Sequence, residues 1–243
     1  MEAIRADKLT KRFGAFTAVD GIDFSVTQGE FFGLLGVNGA GKTTTVRMLS
    51  CLARPTSGEA FLGGRSILTE REQVKRITDL SPQETAVAPN LTVRENLELM
   101  ARLYGCDRGK ARERATHSLE EFALGEQEKK RAGKLSGGWQ RRLSIAMALI
   151  TQPEILFLDE PTLGLDVLAR RELWKTAEML KGRVTVVLTT HYLEEAEALC
   201  DRIAIMVQGR IAACGTAEEL KRLAGKDRFE EAFIAIAEGG KKQ

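Results

Sequence analysis

The stretch Gly36-Val37-Asn38-Gly39-Ala40-Gly41-Lys42-Thr43-Thr44 has the pattern GxxxxGK[ST], a glycine-rich loop that ends in a lysine and a hydroxyl. It follows the apolar run Phe31–Leu35 and leads into residues 43–52, which are compatible with a helix. In this strand–loop–helix context, backbone N–H groups converge on phosphate oxygens, and the helix N-terminus adds partial positive charge. The sequence therefore predicts a nucleotide site at residues 36–44.

Two side chains of this loop have predicted roles. Lys42 would bring a cation to the β- and γ-phosphates, and the hydroxyl of Thr43 would ligate Mg²⁺. The alternative is a glycine-rich turn without chemical function. The flanking strand and helix favour the phosphate site.

The composition is that of an ordinary globular protein. Among 243 residues, 36 basic and 34 acidic ones leave a net charge of +2, which gives no strong field for binding nucleic acid. The four scattered cysteines form no CxxC pair, which favours free thiols. No segment approaches the ~20 consecutive apolar residues of a membrane helix, and no secretory signal is recognisable. Any membrane role is expected to depend on another chain.

The pattern along the chain predicts an α/β fold with two additions. Ile22, Phe24 and Val26 alternate with polar residues, which predicts antiparallel strands in residues 1–30, extended by a short run at 59–62. Residues 82–150 are helical in pattern, with a capping-box spacing between Thr92 and Glu95. Strands and helices then alternate, which indicates a mostly parallel, buried sheet. The predicted segments are 155–158, 167–180, 184–190, 192–199, 203–207 and 210–213.

Two acids follow the apolar run at residues 155–158. A buried parallel strand presents such residues at its carboxyl end, where ligands bind in open α/β sheets. We assign Asp159 to Mg²⁺ and Glu160 to the water beyond the γ-phosphate, as general base or orienting group. The alternative is an acidic turn that caps a helix.

A second glycine-rich string, Ser136-Gly137-Gly138, precedes another helical run. A hydroxyl, free N–H groups and a helix N-terminus together bind an anion. Taken alone, the string is better explained as an ordinary helix cap, and it gains significance only together with the other motifs.

Taken together, these motifs resemble the ATP-binding subunit of an ABC transporter, and the likeness covers nearly the whole chain. The order and spacing of six motifs carry it, and the LSGG string is the most diagnostic. Residues 36–43 resemble the Walker A loop, Gln83 the Q-loop glutamine, residues 135–140 the signature motif, residues 155–160 Walker B, residues 161–166 the D-loop and His191 the switch histidine.

The resemblance implies further residue roles. Phe13 occupies the place of an aromatic residue that stacks on adenine, and a phenylalanine keeps the π-face needed for this. Gln83 would contact Mg²⁺ or the attacking water, and His191 would face the γ-phosphate. ATP and Mg²⁺ are the implied ligands. An ordinary apolar side chain, a loop glutamine and a structural histidine are the respective alternatives.

The resemblance also implies an architecture and a function. Residues 1–225 would form the ABC ATPase cassette, with a P-loop core, an N-terminal antiparallel β subdomain and a helical subdomain inserted at about 84–150. Residues 226–243 would form a short C-terminal helix and a polar tail, similar to those of drug and lipid exporters. Two subunits, expected as a homodimer, would close head-to-tail around ATP. They would power integral membrane subunits from the cytoplasmic side of the membrane.

Three alternatives remain at this point. An importer cassette shares most of the motifs. A soluble ABC-type ATPase of DNA repair or translation is less compatible, because it usually carries two cassettes or a long coiled-coil insertion. A small-molecule P-loop kinase leaves the LSGG string and His191 unexplained.

Overall fold

A computed structural model describes residues 1–240, which form ten strands and nine α-helices. The strands are β1 (Glu2–Phe13), β2 (Phe16–Thr27), β3 (Phe31–Leu35), β4 (Ser57–Leu62), β5 (Arg65–Ser66), β6 (Thr78–Ser81), β7 (Ile155–Asp159), β8 (Thr185–Thr190), β9 (Arg202–Val207) and β10 (Arg210–Gly215). The helices are α1 (Lys42–Leu49), α2 (Arg71–Ile77), α3 (Val93–Leu103), α4 (Arg108–Glu121), α5 (Gly137–Leu149), α6 (Val167–Glu178), α7 (Leu193–Leu199), α8 (Ala217–Ala224) and α9 (Phe229–Gly240).

The N-terminal strands form the predicted antiparallel sheet, in the order β2-β1-β4-β5. Ile22, Phe24 and Val26 are buried on one face of β2, as their alternation with polar residues predicts. The strand at residues 59–62 is also confirmed, as part of β4 paired with β1. This sheet packs its apolar face onto α1 and one side of the central sheet.

The central sheet has six strands in the order β10-β9-β3-β8-β7-β6, and all pairs except β9–β10 are parallel. Every residue of β3, β7 and β8 is buried, as expected for strands covered on both faces. The mostly parallel, buried sheet is confirmed. Its order places the carboxyl ends of β3, β8, β7 and β6 side by side.

The predicted capping box at the start of α3 is present. The side chain of Thr92 accepts from the backbone of Glu95, and the Glu95 carboxylate accepts from the backbone of Thr92. These hydrogen bonds lower the pKa of Glu95. Val93 and Leu97 are buried in an apolar cluster that also includes residues of α4, α5 and the central sheet. Tyr104, predicted on the same face of α3, is 51% exposed because the helix ends just before it.

Several segments differ from the sequence predictions. Helix α1 ends at Leu49 instead of residue 52, since Cys51 takes the left-handed conformation (φ +59°) that stops a helix. Strands β5 and β6 and helices α2 and α8 were not predicted from the pattern. Helix α9 lies in the predicted C-terminal region, where Phe229 is buried and Phe233 partly buried; the predicted end at residues 241–243 lies outside the described residues.

Within residues 1–240, no helix combines the length and the apolar character needed to cross a membrane. The four cysteines are free, as predicted.

Asp79, on edge strand β6, should make stability depend on pH. Burial raises its pKa from 3.8 to about 6, against hydrogen bonds from the Leu80 amide and the Thr151 hydroxyl. Because the folded-state pKa lies above the unfolded one, the stabilisation from Asp79 is complete below pH ~4 and is lost as the pH rises through about 6. The free energy of unfolding of Asp79→Asn, relative to that of the native chain, should therefore rise by about 1 kcal/mol between pH ~5 and pH ~8.

Urea denaturation at the two pH values measures this difference. The exposed Asp227→Asn substitution is the matched control, and it should leave the pH dependence unchanged. If the two chains differ in free energy of unfolding by the same amount at both pH values, the raised pKa of Asp79 is contradicted.

Candidate nucleotide site

Four neighbouring parallel strands end at one cleft. The glycine-rich loop follows β3, His191 follows β8, Asp159 ends β7, and Gln83 lies two residues beyond β6. The cleft has a volume of about 390 Å³. Its lining residues are Phe16, Ala18, Asn38, Gly39, Ala40, Gly41, Lys42, Thr43, Thr44, Gln83, Glu160, Leu163 and His191.

The loop holds the ammonium group of Lys42 at the floor of this cleft. Lys42 is 5% exposed, and its Nζ donates to the carbonyl oxygens of Gly36 at 2.7 Å and Val37 at 3.4 Å. Gly41 has φ +107°, and a Cβ there would lie 2.5 Å from the Ala18 carbonyl oxygen, so only glycine fits. Gly41 also caps α1 without a side-chain hydrogen bond. The first N–H groups of α1 are therefore available to phosphate oxygens.

Two of the candidate Mg²⁺ ligands, Thr43 and Asp159, are in contact beside the loop, and Gln83 lines the same cleft. The Thr43 hydroxyl donates to Asp159 Oδ1 at 3.1 Å, and the Thr189 hydroxyl donates to the same oxygen at 2.5 Å. A hydroxyl, a carboxylate and the amide oxygen of Gln83 are hard oxygen donors of the kind that Mg²⁺ prefers. The residues present therefore fit this ion.

Glu160 lies at the centre of the predicted chemistry and is 6% exposed. Its Oε1 is 3.1 Å from Lys42 Nζ, and its Oε2 is 2.6 Å from His191 Nδ1. Its backbone has φ +47°, and its N–H donates to both the carbonyl and the hydroxyl of Thr189. Glu160 lines the nucleotide cleft, whereas Asp159 does not.

The string Ser136-Gly137-Gly138 lies at the N-terminus of α5. Ser136 and Gly138 line a separate, smaller cleft with Trp139 and residues of α6. Although Ser136 is the N-cap residue, its side chain makes no capping hydrogen bond, so the ordinary-cap alternative is not supported. Its hydroxyl and the first N–H groups of α5 are free to bind an anion supplied from outside this chain.

Phe16 lines the nucleotide cleft, whereas Phe13, the residue predicted to stack on adenine, lies outside this lining. The two residues pair across the β1–β2 hairpin, with Phe13 56% exposed and Lys11 Nζ 5.1 Å from its ring centroid. The sequence signal for Phe16 was a second aromatic residue beyond the Gly14 turn. Adenine stacking by Phe13 stays a prediction.

Sequence reasoning also missed Thr189 and Glu195. Thr189 was detectable only as a hydroxyl near the end of a buried apolar strand. Glu195, on α7, accepts from Trp174 Nε1 at 3.2 Å, while its Oε2 is buried without a partner among the described residues. Burial raises the pKa of Glu195, and the neighbouring carboxylate of Glu160 adds to the effect.

Comparison with known proteins agrees with this geometry. The sequence model of the family described as ABC transporter matches residues 19–163. Daunorubicin resistance ATP-binding protein DrrA3 of Streptomyces coeruleorubidus is 45% identical over 239 residues, which are 98% of this chain and 75% of the relative.

Two solved structures have the same fold. The ATP-binding subunit of an ABC transporter has a TM-score of 0.84 at 29% identity, covering 96% of this chain and 99% of that one. A dimeric ATP-binding cassette in a post-hydrolysis state, bound to ADP and phosphate, has a TM-score of 0.78 at 26% identity, covering 88% of this chain and 98% of that one. With four of its motifs meeting at one cleft and its family matched over more than half its length, the chain belongs to the ABC transporter family, as an ATP-binding subunit.

Proposed function

We propose that this chain hydrolyses ATP to ADP and phosphate and thereby drives export through separate integral membrane subunits. The observation that carries the proposal is the meeting of four motifs at the ends of β3, β8, β7 and β6 in one cleft. A cleft of this size and polarity, with a buried lysine beside a helix N-terminus, suits a nucleoside triphosphate.

In this mechanism the loop binds and orients the phosphates. Lys42 neutralises charge on the β- and γ-phosphates, and the N–H groups of Gly39 and of residues 41–44 donate to their oxygens. Thr43, Asp159 and Gln83 would hold Mg²⁺, which would supply positive charge to stabilise the phosphate oxygens. Gly36 and Val37 act through their carbonyl oxygens, which fix the lysine.

Glu160 positions the attacking water and accepts its proton in this mechanism. The contact with His191 Nδ1 holds the carboxylate in place. The other ring nitrogen of His191 is then available to the γ-phosphate, where charge develops during the reaction. Ser136, Gly137 and Gly138 would supply donors to the γ-phosphate of a second subunit.

Because the phosphate loop and the Ser136–Gly138 segment would act on different ATP molecules, the mechanism implies a head-to-tail homodimer. The separation of the Ser136–Gly138 cleft from the cleft around Lys42 supports it, as does the dimeric state of a cassette with the same fold. Membrane subunits would hold the dimer at the cytoplasmic face of the membrane. The division into a cassette at 1–225, a helical insertion at about 84–150 and a C-terminal segment at 226–243 belongs to the same proposal.

Export is favoured over import by a relative that is 45% identical and named for drug resistance. Isolation of the native chain from detergent-solubilised membranes of its source cells tests the transport role. We expect a polytopic membrane protein to co-purify and ATP hydrolysis to accompany it. The Lys42→Ala chain is the matched control, since it should retain the membrane partner without hydrolysis. Recovery with DNA or ribosomes instead would contradict the proposal.

A further inference from the structure

Arg141 is a buried cation that joins helix α5 to the loop carrying Gln83. Its side chain is 4% exposed. Nη1 donates to the carbonyl oxygen of Pro82 at 2.5 Å, and Nη2 donates to that of Gln83. One turn further along α5, the hydroxyls of Ser144 and Ser81 lie 3.0 Å apart. Helix α5 is therefore fixed to the segment 81–83 through polar contacts.

The charge of Arg141 is not required for packing. Burial lowers the pKa of Arg141, and the negative charges of Asp159 and Glu195 act in the opposite direction. An apolar side chain of similar volume fills such a position without the desolvation penalty of a cation. The planar guanidinium, however, fixes two acceptors in one relative orientation. The geometry therefore serves to hold the carbonyls of Pro82 and Gln83.

The two ends of this connection lie at different clefts. The side chain of Gln83 lines the nucleotide cleft, while its carbonyl is held by Arg141. Arg141 lies three residues after Gly138, on the same helix that begins at Gly137. A shift of the Gln83 backbone is thus passed to a rigid helix whose N-terminus carries Ser136 and Gly138.

We propose that Arg141 is a positioning residue that couples nucleotide binding at Gln83 to the orientation of the Ser136–Gly138 segment in the same chain. The proposal rests on the proposed function, because that segment faces the nucleotide of the partner subunit only in the head-to-tail dimer. Arg141 then links the two ATP sites of the dimer, although it touches neither nucleotide.

The fluorescence of Trp139 measures this coupling directly. The chain has two tryptophans, so Trp174→Phe leaves Trp139, next to the coupled segment, as the only one. Adding Ser136→Arg to this background blocks contact with a partner's nucleotide. Mg²⁺-ATP should then change the emission of Trp139, and Arg141→Met should reduce the change about fivefold or more. Calorimetry should show ATP affinity within about twofold of the parent.

Arg114→Met is the matched control in the same background. The Arg114 guanidinium also donates to a backbone carbonyl of this region, that of Ile150 at 2.9 Å, but beyond the opposite end of α5. It should leave the emission change intact. Arg141→Lys keeps the charge without the planar fork, so its emission change should fall between those of the parent and Arg141→Met. If Arg141→Met does not fold, the lysine variant carries the test.

Steady-state kinetics of the otherwise native dimer provide the second readout. Arg141→Met should lower kcat about tenfold with KM within about twofold, and Arg141→Lys should recover part of the loss. No emission change in the parent, or equal behaviour of Arg141→Met and Arg114→Met, would overturn the role of Arg141 while leaving ATP hydrolysis in place. Failure of the native chain to bind or hydrolyse ATP would instead reject the proposed function.

Discussion

Glu160→Gln should keep ATP bound and lower kcat by about a thousandfold. The amide has nearly the same shape as the carboxylate but cannot accept the proton of the attacking water. The substitution also removes the negative partner 3.1 Å from Lys42 Nζ, which leaves the ammonium free for phosphate oxygens. ATP affinity should therefore be unchanged or higher, and the loss should appear in kcat alone.

Calorimetric titration with ATP and single-turnover hydrolysis separate these two quantities. Glu194→Gln is the matched control, because Glu194 is an exposed acid three residues beyond His191 whose carboxylate lies outside the lining of the nucleotide cleft. It should leave both quantities unaltered. Normal turnover in Glu160→Gln would remove Glu160 from the mechanism.

Lys42→Ala and Ser136→Arg should each inactivate the homodimer, yet activity should return when the two chains are mixed. Lys42→Ala disables the phosphate loop, while Ser136→Arg blocks the anion site at the start of α5. In a head-to-tail heterodimer, one site combines the intact loop of the second chain with the intact Ser136 of the first. We expect hydrolysis to rise at least about tenfold above either homodimer on mixing, because one complete set of phosphate donors is restored.

Heterodimer formation must be verified by crosslinking, and ATP occlusion measured beside hydrolysis, since strict coupling of the two sites can suppress turnover at a single intact site. A mixture of either variant with itself is the control. A verified heterodimer that neither occludes nor hydrolyses ATP would contradict the shared site. Full activity of the Ser136→Arg homodimer would contradict it outright.

The elements that the sequence predicted are those encoded by contiguous residues. Three features each depend on a few residues that are neighbours in the chain, and this is why they could be predicted. They are the phosphate loop, the two acids after residue 158 and the capping box at Thr92. The alternation of strand and helix beyond residue 150 was predicted for the same reason, and it indicated the parallel sheet.

The features that were not predicted depend on strand order and on contacts between residues that are distant in the chain. Strand β6 was not predicted because its residues, Thr78-Asp79-Leu80-Ser81, form a short and largely polar strand at the edge of the sheet. The contact of Arg141 with Gln83 joins residues 58 positions apart, and no local periodicity encodes it. Phe16 reaches the cleft lining through the pairing of β1 with β2, and no local pattern in the sequence encodes that position.

The left-handed backbone of Glu160 has a consequence for how this chain tolerates mutation. A residue with a Cβ costs about 1 kcal/mol or more in that conformation, whereas glycine adopts it freely. In the nucleotide-free chain, however, glycine would leave the buried ammonium group of Lys42 without its carboxylate partner, and such a loss costs about 3–5 kcal/mol. The contacts of Glu160 with Lys42 and His191 therefore offset the backbone strain, so the group that handles the water also stabilises the empty site.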